Sequence, residues 1–342
     1  MAGRKLNRRQ QWRIEKIQDE RRARLERKQE RLEQRISGDG GLGAEQTGLV
    51  IASFGASLEI EAENGERLRC LLRQNLPLIV VGDRVVWQAA QEGGVVTALL
   101  ERTTLLARPD AHGELKGLAA NLDQIIVVAA PAPAYSTELI DQYLAAAELT
   151  GITPLLLFNK IDLIREEDED EVSQLLQRYR DIGYRVLTSS TRINHGLEQL
   201  IEQLKGHTNV FVGQSGVGKS SLSNALMPEV NIAVQALSEQ SGLGQHTTST
   251  ARLYHLPQGG IVIDSPGVRE FRLWPMDETT LAEGFREFHP FLGMCKFRDC
   301  KHQKEPRCAL KTALEEGKIS SERLHNYHKI VGQLREFTED YR

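Results

Sequence analysis

Residues 210–222 read VFVGQSGVGKSSL and contain a full G-x4-G-K-S motif from Gly213 to Ser220. The apolar segment NVFV precedes this motif and the segment KSSLSNAL follows it, which is the strand–loop–helix context in which the motif binds phosphate. Its glycines let backbone amides surround an anion, and the start of a helix adds its positive dipole end. We expect Lys219 to reach the outer phosphates of a nucleotide and Ser220 to ligate Mg2+. The predicted nucleotide-binding residues of this loop are Gly213, Gln214, Ser215, Gly216, Val217, Gly218, Lys219, Ser220 and Ser221.

The segments before this loop alternate between apolar runs and helix-like stretches. LDQIIVVAA, which begins at Leu122, is typical of a strand covered on both faces. A helix is predicted from Ser136, a good N-cap residue, to Gly151. The segments that follow are strand 153–158, helix 168–180, strand 184–188, helix 196–205 and strand 208–212. This alternation predicts an α/β domain with an open parallel sheet, whose ligands bind at the carboxyl ends of the strands.

Two loops at that edge of the sheet suit guanine. In FNKID, Asp162 can accept hydrogen bonds from guanine N1 and from its exocyclic amine, a pair of donors that adenine lacks. Asn159 would join neighbouring loops and touch the base, and the stem of Lys160 would cover the ring. The serines of LTSS come after the next strand, where backbone amides could meet guanine O6. An ordinary solvated turn is the alternative for FNKID. The predicted base-binding residues are Asn159, Lys160, Ile161, Asp162, Ser189 and Ser190.

Two later segments complete a set of nucleotide-binding loops. GQHTTST, residues 244–250, supplies Thr247 or Thr248 to close over Mg2+ and the terminal phosphate. GGIVIDSPGV, residues 259–268, is an apolar strand that ends at Asp264. Asp264 would hold Mg2+ through water, and the amide of Gly267 would meet the γ-phosphate. These segments therefore predict both switches of a GTPase.

The order of the five elements is unusual, because both base-binding loops precede the phosphate-binding loop. A parallel βα sheet with neighbouring termini can be cut in one loop and joined at its old ends without moving any site loop. We therefore interpret the order as a circular permutation. The second switch then runs almost directly into whatever follows residue 275. A metabolic P-loop kinase is disfavoured, because it would not need a guanine-specific loop.

Two regions precede the α/β domain. Residues 1–36 carry 13 Lys or Arg against 6 Asp or Glu, so the arm is +7 and the remainder of the chain is -11. Such an arm cannot bury a core; it is either a merely solubilising tail or a segment that folds on a polyanion. After the glycines of residues 36–43 come five predicted strands with turn residues between them, the last of them residues 94–108. They predict a small OB-fold β-barrel, and Cys70 in one strand is expected to be a small buried residue.

The C-terminal region carries a cysteine–histidine cluster. CKFRDCKHQKEPRC places Cys295, Cys300, His302 and Cys308 in the pattern C-x4-C-x-H-x5-C. Three thiolates and one imidazole suit a closed, structural tetrahedral Zn2+ site, and free thiols that happen to cluster are the alternative. The basic residues around this cluster suit the phosphates of a nucleic acid. They are Lys296, Arg298, Lys301, Lys304 and Arg307.

The combination of GQSGVGKSSL, HTT, DSPG, the permuted order, the barrel and the cysteine cluster resembles the circularly permuted ribosome small-subunit-dependent GTPase family (RsgA). The resemblance extends from about residue 45 to the end of the chain. It implies a GTPase that binds the small (30S) ribosomal subunit and its rRNA late in maturation, hydrolyses GTP there, and uses Mg2+ with GTP or GDP and one structural Zn2+. A nucleotide-gated RNA-binding module with incidental hydrolysis is the alternative. His246 resembles the switch histidine suspected of catalysis in this family, and a histidine that only packs or anchors rRNA is the other interpretation.

The predicted organisation is a basic arm and linker at 1–44, an OB-fold at 45–110, a permuted GTPase domain at 111–275 and a helical zinc-binding domain at 276–342. A composition of 40% hydrophobic residues in a chain of 342 can fill several cores. The sequence contains no apolar stretch approaching the ~20 residues of a membrane span and no secretory signal. We therefore expect a cytoplasmic protein that does not bind membranes. We also expect a monomer.

Overall fold

The computed structural model of the protein describes residues 42–55, 57–73, 75–91, 93–109, 115–228, 251–265, 268 and 273–340. The chain divides into two compact units. One comprises Met1–Ile79 and Asp83–Glu101, and the other Val80–Gly82 and Arg102–Arg342. The predicted arm at 1–36 lies outside the described residues, and the four predicted domain limits stay predictions.

The first unit is a five-stranded β-barrel. Its strands are β1 (Glu45–Ser53), β2 (Ser57–Ala62), β3 (Arg67–Leu72), β4 (Arg84–Ala89) and β5 (Gly94–Leu99). β1 pairs antiparallel with both β2 and β4, β2 pairs with β3, and β4 pairs with β5. A parallel pairing of β3 with β5 closes the ring. The barrel is OB-like, as the sequence predicted.

Alternate residues of these strands fill the barrel. Trp87 is 2% exposed and lies among Val50, Leu58 and Ile60, which are fully buried. Cys70 belongs to the same core, and burial raises the pKa of its thiol to about 12. Because the thiol stays protonated and enclosed, Cys70 acts as a small apolar residue there.

The second unit contains an α/β sheet and a helical C-terminal region. Its strands are β6 (Leu105–Pro109), β7 (Leu115–Ala120), β8 (Gln124–Ala129), β9 (Thr153–Asn159), β10 (Arg185–Ser189), β11 (Thr208–Val212), β12 (Arg252–His255) and β13 (Ile261–Asp264). Its helices are α1 (Thr137–Thr150), α2 (Glu169–Asp181), α3 (Glu198–Leu204), α4 (Lys219–Leu226), α5 (Glu278–Glu283), α6 (Ala309–Glu315) and α7 (Ser321–Asp340). Short 3-10 helices occur at Ile161–Leu163, Glu166–Asp168 and Arg286–Phe291.

The strands of the α/β sheet follow the order β10-β9-β8-β11-β13-β12. All neighbours are parallel except β12, which runs antiparallel to β13. Every residue of β8 is buried, as its continuous apolar run predicted. α1 begins after Ser136, whose side chain accepts from the Leu139 amide, and ends at Gly151 in the left-handed conformation. The parallel sheet and this helix are therefore confirmed.

The prediction of one strand over residues 94–108 is wrong. β5 ends at Leu99, the Leu100 amide still donates to the Arg84 carbonyl at 2.9 Å, and residues 101–104 leave the ladder before β6 begins. The backbone amide of Thr103 donates to Asn121 Oδ1 at 2.8 Å, and the hydroxyl of Thr104 donates to the Leu122 carbonyl at 2.8 Å. These side-chain hydrogen bonds satisfy groups that a ladder would otherwise pair. β6 then pairs antiparallel with β7, a hairpin that the sequence did not predict.

The C-terminal helices share one apolar core. Phe285 stacks on Phe288 with ring centroids 4.9 Å apart, and both rings meet Tyr327 edge-on at 5.5 Å. Ala145 of α1 belongs to the same core, so the C-terminal helices and the α/β sheet are packed together through this helix. None of the helices in the described part of the chain has the length and apolar content to cross a membrane.

Candidate nucleotide and metal sites

Four loops meet at one edge of the α/β sheet. Because β8, β9, β10 and β11 are parallel neighbours, their carboxyl ends lie side by side. The loops that follow them begin at residues 130, 160, 190 and 213. This edge is where an open α/β sheet binds its ligand.

Asn159 joins three of these loops. It is the last residue of β9 and is 2% exposed. Its amide Nδ2 donates to the Val217 carbonyl at 2.9 Å, and its Oδ1 accepts from the Ser189 hydroxyl at 2.9 Å. Ser189 is itself fully buried. The side chain of Asn159 therefore fixes the phosphate-binding loop and the LTSS loop relative to β9.

Lys160 makes a second connection across the site. Its backbone is in the left-handed conformation, with φ 59°. The Nζ atom donates to the carbonyls of Ala132 at 2.7 Å and Gly216 at 2.6 Å. Desolvation lowers the pKa of Lys160, and the charge of Asp162 acts in the opposite direction. The ammonium thus bridges the turn after β8 and the phosphate-binding loop.

Asp162 lies in the 3-10 turn after Lys160. Its Oδ1 accepts from the Ser190 hydroxyl at 2.5 Å, and the Ser190 oxygen accepts from the Arg192 amide at 3.0 Å. The Ser190 amide donates to the Gly196 carbonyl at 3.1 Å, so this amide is used within its own loop. What Ser190 provides to the base loop is its hydroxyl, which orients the carboxylate.

The glycines of the phosphate-binding loop are required by its shape. Gly213, Gly216 and Gly218 have φ of 139°, 84° and 102°, which L side chains rarely adopt. A Cβ atom on Gly213 would lie 2.3 Å from the Val128 carbonyl oxygen. A Cβ atom on Gly218 would lie 2.4 Å from Asn159 Nδ2. Strand β8 and the base loop therefore press directly on this loop.

Three of the polar residues predicted to hold phosphate and metal line one small cleft. Lys219, Ser220 and Asp264 surround it together with Phe211 and Ile263. Lys219 is the first residue of α4, and its Nζ donates to the carbonyls of Gly213 at 2.6 Å and Gln214 at 2.8 Å. The ammonium of Lys219, the carboxylate of Asp264 and the hydroxyls of Ser220 and Ser223 thus line the cleft where the phosphate-binding loop enters its helix.

The remaining predicted switch residues, His246, Thr247, Thr248 and Gly267, lie outside the described residues. Val268, which directly follows Gly267, is fully buried. Its amide donates to the Ser265 carbonyl at 3.1 Å. An enclosed, apolar side chain at this position can neither donate a hydrogen bond nor accept one.

The four predicted metal ligands come together. The ligand atoms of Cys295, Cys300, His302 and Cys308 all lie within 4.8 Å of one another. His302 Nδ1 is 3.5 Å from the sulfur of Cys295 and 3.3 Å from that of Cys308, and those two sulfurs are 4.0 Å apart. Tetrahedral zinc with bonds of about 2.3 Å separates its ligands by roughly 3.8 Å. The cluster is therefore compatible with a zinc site.

The loop that carries His302 is shaped by a carboxylate. Glu305 accepts from the backbone amides of Lys301, Gln303 and Lys304 at 3.2, 2.9 and 3.0 Å. Backbone amides lower the pKa of Glu305 to about 2. Inside the cluster, desolvation raises the pKa of the Cys300 thiol to about 12 and lowers that of His302. A bound divalent cation would supply the charge that stabilises the thiolates.

Sequence reasoning assigned no role in the site to the turn 131–136, which reads PAPAYS. It contributes the Ala132 carbonyl to Lys160, and Pro133 lies 3.3 Å from where a Cβ atom on Gly216 would be. Tyr135 meets Phe158 edge-on at 5.6 Å, and its hydroxyl donates to Glu171 at 3.1 Å. The contact of this turn with Lys160 is made by a backbone carbonyl, which any residue could supply. Only the position of the turn at the carboxyl end of β8 could therefore have suggested a role in the site.

A family model matches the middle of the chain, and curated relatives match nearly all of it. The family RsgA GTPase matches residues 99–274. The small ribosomal subunit biogenesis GTPase RsgA of Pseudomonas putida is 53% identical over 341 residues, covering 98% of this chain and 99% of the relative. The protein of the same name from Ectopseudomonas mendocina is 54% identical over 346 residues and covers both chains fully.

Solved structures give the same result. The crystal structure of YjeQ from Thermotoga maritima has a TM-score of 0.71 at 35% identity, and covers 85% of this chain and 99% of its own. YloQ, described as a circularly permuted GTPase, has a TM-score of 0.68 at 30% identity, and the match covers 88% of this chain and 97% of the YloQ chain. The reversed order of the base-binding and phosphate-binding loops is therefore a circular permutation, and this chain belongs to the RsgA family of small ribosomal subunit biogenesis GTPases.

Proposed function

We propose that this chain binds the small ribosomal subunit and its rRNA, hydrolyses GTP to GDP and phosphate there, and acts late in maturation of that subunit in the cytoplasm. The observation that carries the proposal is the joining of the base loop to the phosphate-binding loop. Asn159 and Lys160 reach the carbonyls of Val217 and Gly216 directly. Such a framework would hold a purine and its phosphates at a fixed separation.

The guanine site that we propose is built around Asp162. Its carboxylate would accept from guanine N1 and the exocyclic amine, while the Ser190 hydroxyl holds one carboxylate oxygen at 2.5 Å. The Lys160 stem would cover the ring. Asn159, Ile161 and the LTSS serines would enclose the rest of the base. A site that pairs two guanine donors leaves its own acceptor unpaired when adenine binds, and so rejects adenine.

The phosphate site that we propose uses the amides of residues 213–221 and the ammonium of Lys219. Ser220 and Asp264 line the same cleft as Lys219 and would hold Mg2+, with Thr247 or Thr248 from the first switch. When bound, Mg2+ neutralises charge on the transferred phosphoryl group. The Gly267 amide would meet the γ-phosphate.

We propose that unassisted hydrolysis is slow and that the subunit stimulates it. Ras-like enzymes orient the attacking water with a glutamine after DxxG, whereas Val268 at this position is apolar and buried. His246 is our candidate for the missing polar group. A potassium ion is a poorer candidate, because enzymes that use one usually carry an asparagine where this chain has Gly216.

The C-terminal cluster would hold one structural Zn2+. All four of its ligand atoms come from protein side chains, which suits a closed site with no open position for a substrate. Cations at 296, 298, 301, 304 and 307 surround the cluster and suit rRNA phosphates. We propose that the chain acts as a monomer.

The deciding experiment compares GTP hydrolysis by the purified chain with and without purified small subunits. The proposal expects a slow basal rate and strong stimulation by small subunits, with large subunits as the control. Equal rates in all three conditions would contradict the proposal. Nucleotide-dependent binding to the subunit without stimulation would favour a binding module instead.

A further inference from the structure

A buried polar network joins α1 to the C-terminal helices. Arg323 of α7 pairs with Asp141 of α1 at 2.5 Å, and its guanidinium also donates to both carboxylate oxygens of Glu287 at 2.6 and 3.0 Å. The side chains of Arg323 and Asp141 are only 6% and 0% exposed. Tyr179 of α2 donates to Asp141 at 2.7 Å. Three structural elements, α1, α2 and α7, therefore meet at Asp141, and Arg323 joins the 3-10 helix that carries Glu287 to them.

Asn326 extends the network to the first turn of α1. Its amide donates to Asp141 Oδ2 at 2.7 Å and to the Thr137 hydroxyl at 3.2 Å. Thr137 is the first residue of α1 and follows the turn 131–136 directly. The same turn carries the Ala132 carbonyl that accepts from Lys160 and the proline that lies against Gly216. The stretch from Ala132 to Thr137 thus connects α7 to the loop of Lys160 and to the phosphate-binding loop.

Apolar packing also attaches the C-terminal helices to α1. Ala145 of α1 lies in their core, and a Cβ atom on Gly284 would be 2.9 Å from the Ala145 side chain. Burying an ion pair adds a desolvation cost, so such a pair is weak evidence for stability. Its directional bonds instead set the position of one element against another. Desolvation raises the pKa of Asp141, and the charge of Arg323 with the bonds from Asn326 and Tyr179 opposes this shift.

We propose that Arg323 and Asn326 are positioning residues for nucleotide binding, acting through α1. By holding Thr137 and Asp141 they fix the turn 131–136 against Lys160 and the phosphate-binding loop. The C-terminal helices therefore control how long nucleotide stays bound. This inference rests on the proposed guanine-nucleotide site, and it adds a regulatory route that does not pass through the switches.

Two variants of the full chain test the route at α1. Asn326→Leu removes both hydrogen bonds to α1 and leaves the ion pair. The triple variant Arg323→Met, Asp141→Asn, Glu287→Gln removes the charges together, so that no single buried ion is left unpaired. We expect dissociation of fluorescent N-methylanthraniloyl-GDP to be faster by about 5- to 150-fold in the triple variant, the usual range of coupling between sites. Asn326→Leu is expected near the lower end.

Arg286→Met is the matched control. Arg286 also bridges the C-terminal helices and the α/β domain, donating to the Gly183 carbonyl at 2.6 Å and pairing with Glu148 at 2.7 Å. Glu148 lies at the end of α1 away from the nucleotide loops. This variant should retain the wild-type dissociation rate. Equal acceleration of nucleotide dissociation in all three variants would overturn the proposal, because general loosening of the C-terminal helices would then explain the effect.

The wild-type chain provides a test that needs no substitution. Coupling between sites is reciprocal, so saturating GDP should slow amide hydrogen exchange in α7 over residues 321–335. If GDP binds and exchange in α7 does not change, the inference is wrong while the proposed function stands. If the chain does not bind GDP, the proposed function itself fails.

Discussion

Replacement of Asp162 by asparagine tests the guanine site most directly. The Ser190 hydroxyl donates to Asp162 Oδ1 and accepts a hydrogen bond from the Arg192 amide. The hydroxyl proton therefore points toward Asp162. In Asp162→Asn the amide oxygen should take the position facing Ser190. The amide NH2 would then face the base, where guanine also presents donors. Xanthine carries a carbonyl oxygen in place of the exocyclic amine and can accept from that NH2.

The size of the effect follows from the bonds lost. Hydrogen bonds to a charged group contribute about 1.5–3 kcal/mol each, so losing the pair costs about 3–6 kcal/mol. At about 1.4 kcal/mol per factor of ten, GTP affinity should fall by at least about 100-fold. A neutral bond to xanthine returns about 0.5–1.5 kcal/mol, so XTP should bind the variant better than GTP does.

Competition between GTP and XTP for a fluorescent GDP analogue measures this preference. Ser190→Ala is the control, because it keeps the carboxylate and removes only the group that orients it. This control should weaken GTP modestly without favouring XTP. An Asp162→Asn chain that still prefers GTP over XTP as strongly as wild type would refute the assignment of Asp162.

The other predictions concern the metal, the phosphate-binding loop and the first switch. Cys295→Ala or Cys308→Ala should release bound zinc, measured by a colorimetric chelator, and loosen the C-terminal helices while GDP binding persists; one retained equivalent of zinc would contradict the ligand set. Gly218→Ala should lower GDP affinity about tenfold or more in a titration. The added Cβ atom would lie 2.4 Å from Asn159 Nδ2, and the backbone of residue 218 is in the left-handed conformation. His246→Ala should lose most subunit-stimulated hydrolysis with normal nucleotide and subunit binding, and full stimulation would exclude the histidine.

Much of the fold and site could be predicted because the signals are local. The glycine spacing of residues 213–218, the N-cap at Ser136 and the pattern of the metal ligands each depend on a few neighbouring residues. The parallel sheet follows from apolar runs such as β8. These signals persist after circular permutation, since permutation changes the order of segments and leaves their local sequence intact.

What could not be predicted depends on contacts between distant segments. Arg323 and Asp141 each look like ordinary charged helix residues, and only the packing of α7 on α1 buries them. The contact from Lys160 to Ala132 uses a backbone carbonyl, which has no sequence signature. The end of β5 was missed because Thr103 and Thr104 favour a strand by composition, yet bond to Asn121 and Leu122 instead.

The permutation gives the C-terminal helices two connections to the nucleotide site. Along the chain, β13 ends at Asp264 on the metal side of the site, and α5 begins soon afterwards at Glu278. In space, α7 holds α1, which leads through the turn 131–136 to the base side. In the usual order of GTPase elements the segment after the second switch continues within the domain. Here it forms helices that hold the start of α1, so we expect a displacement of these helices to act on both the predicted metal side and the predicted base side of the site.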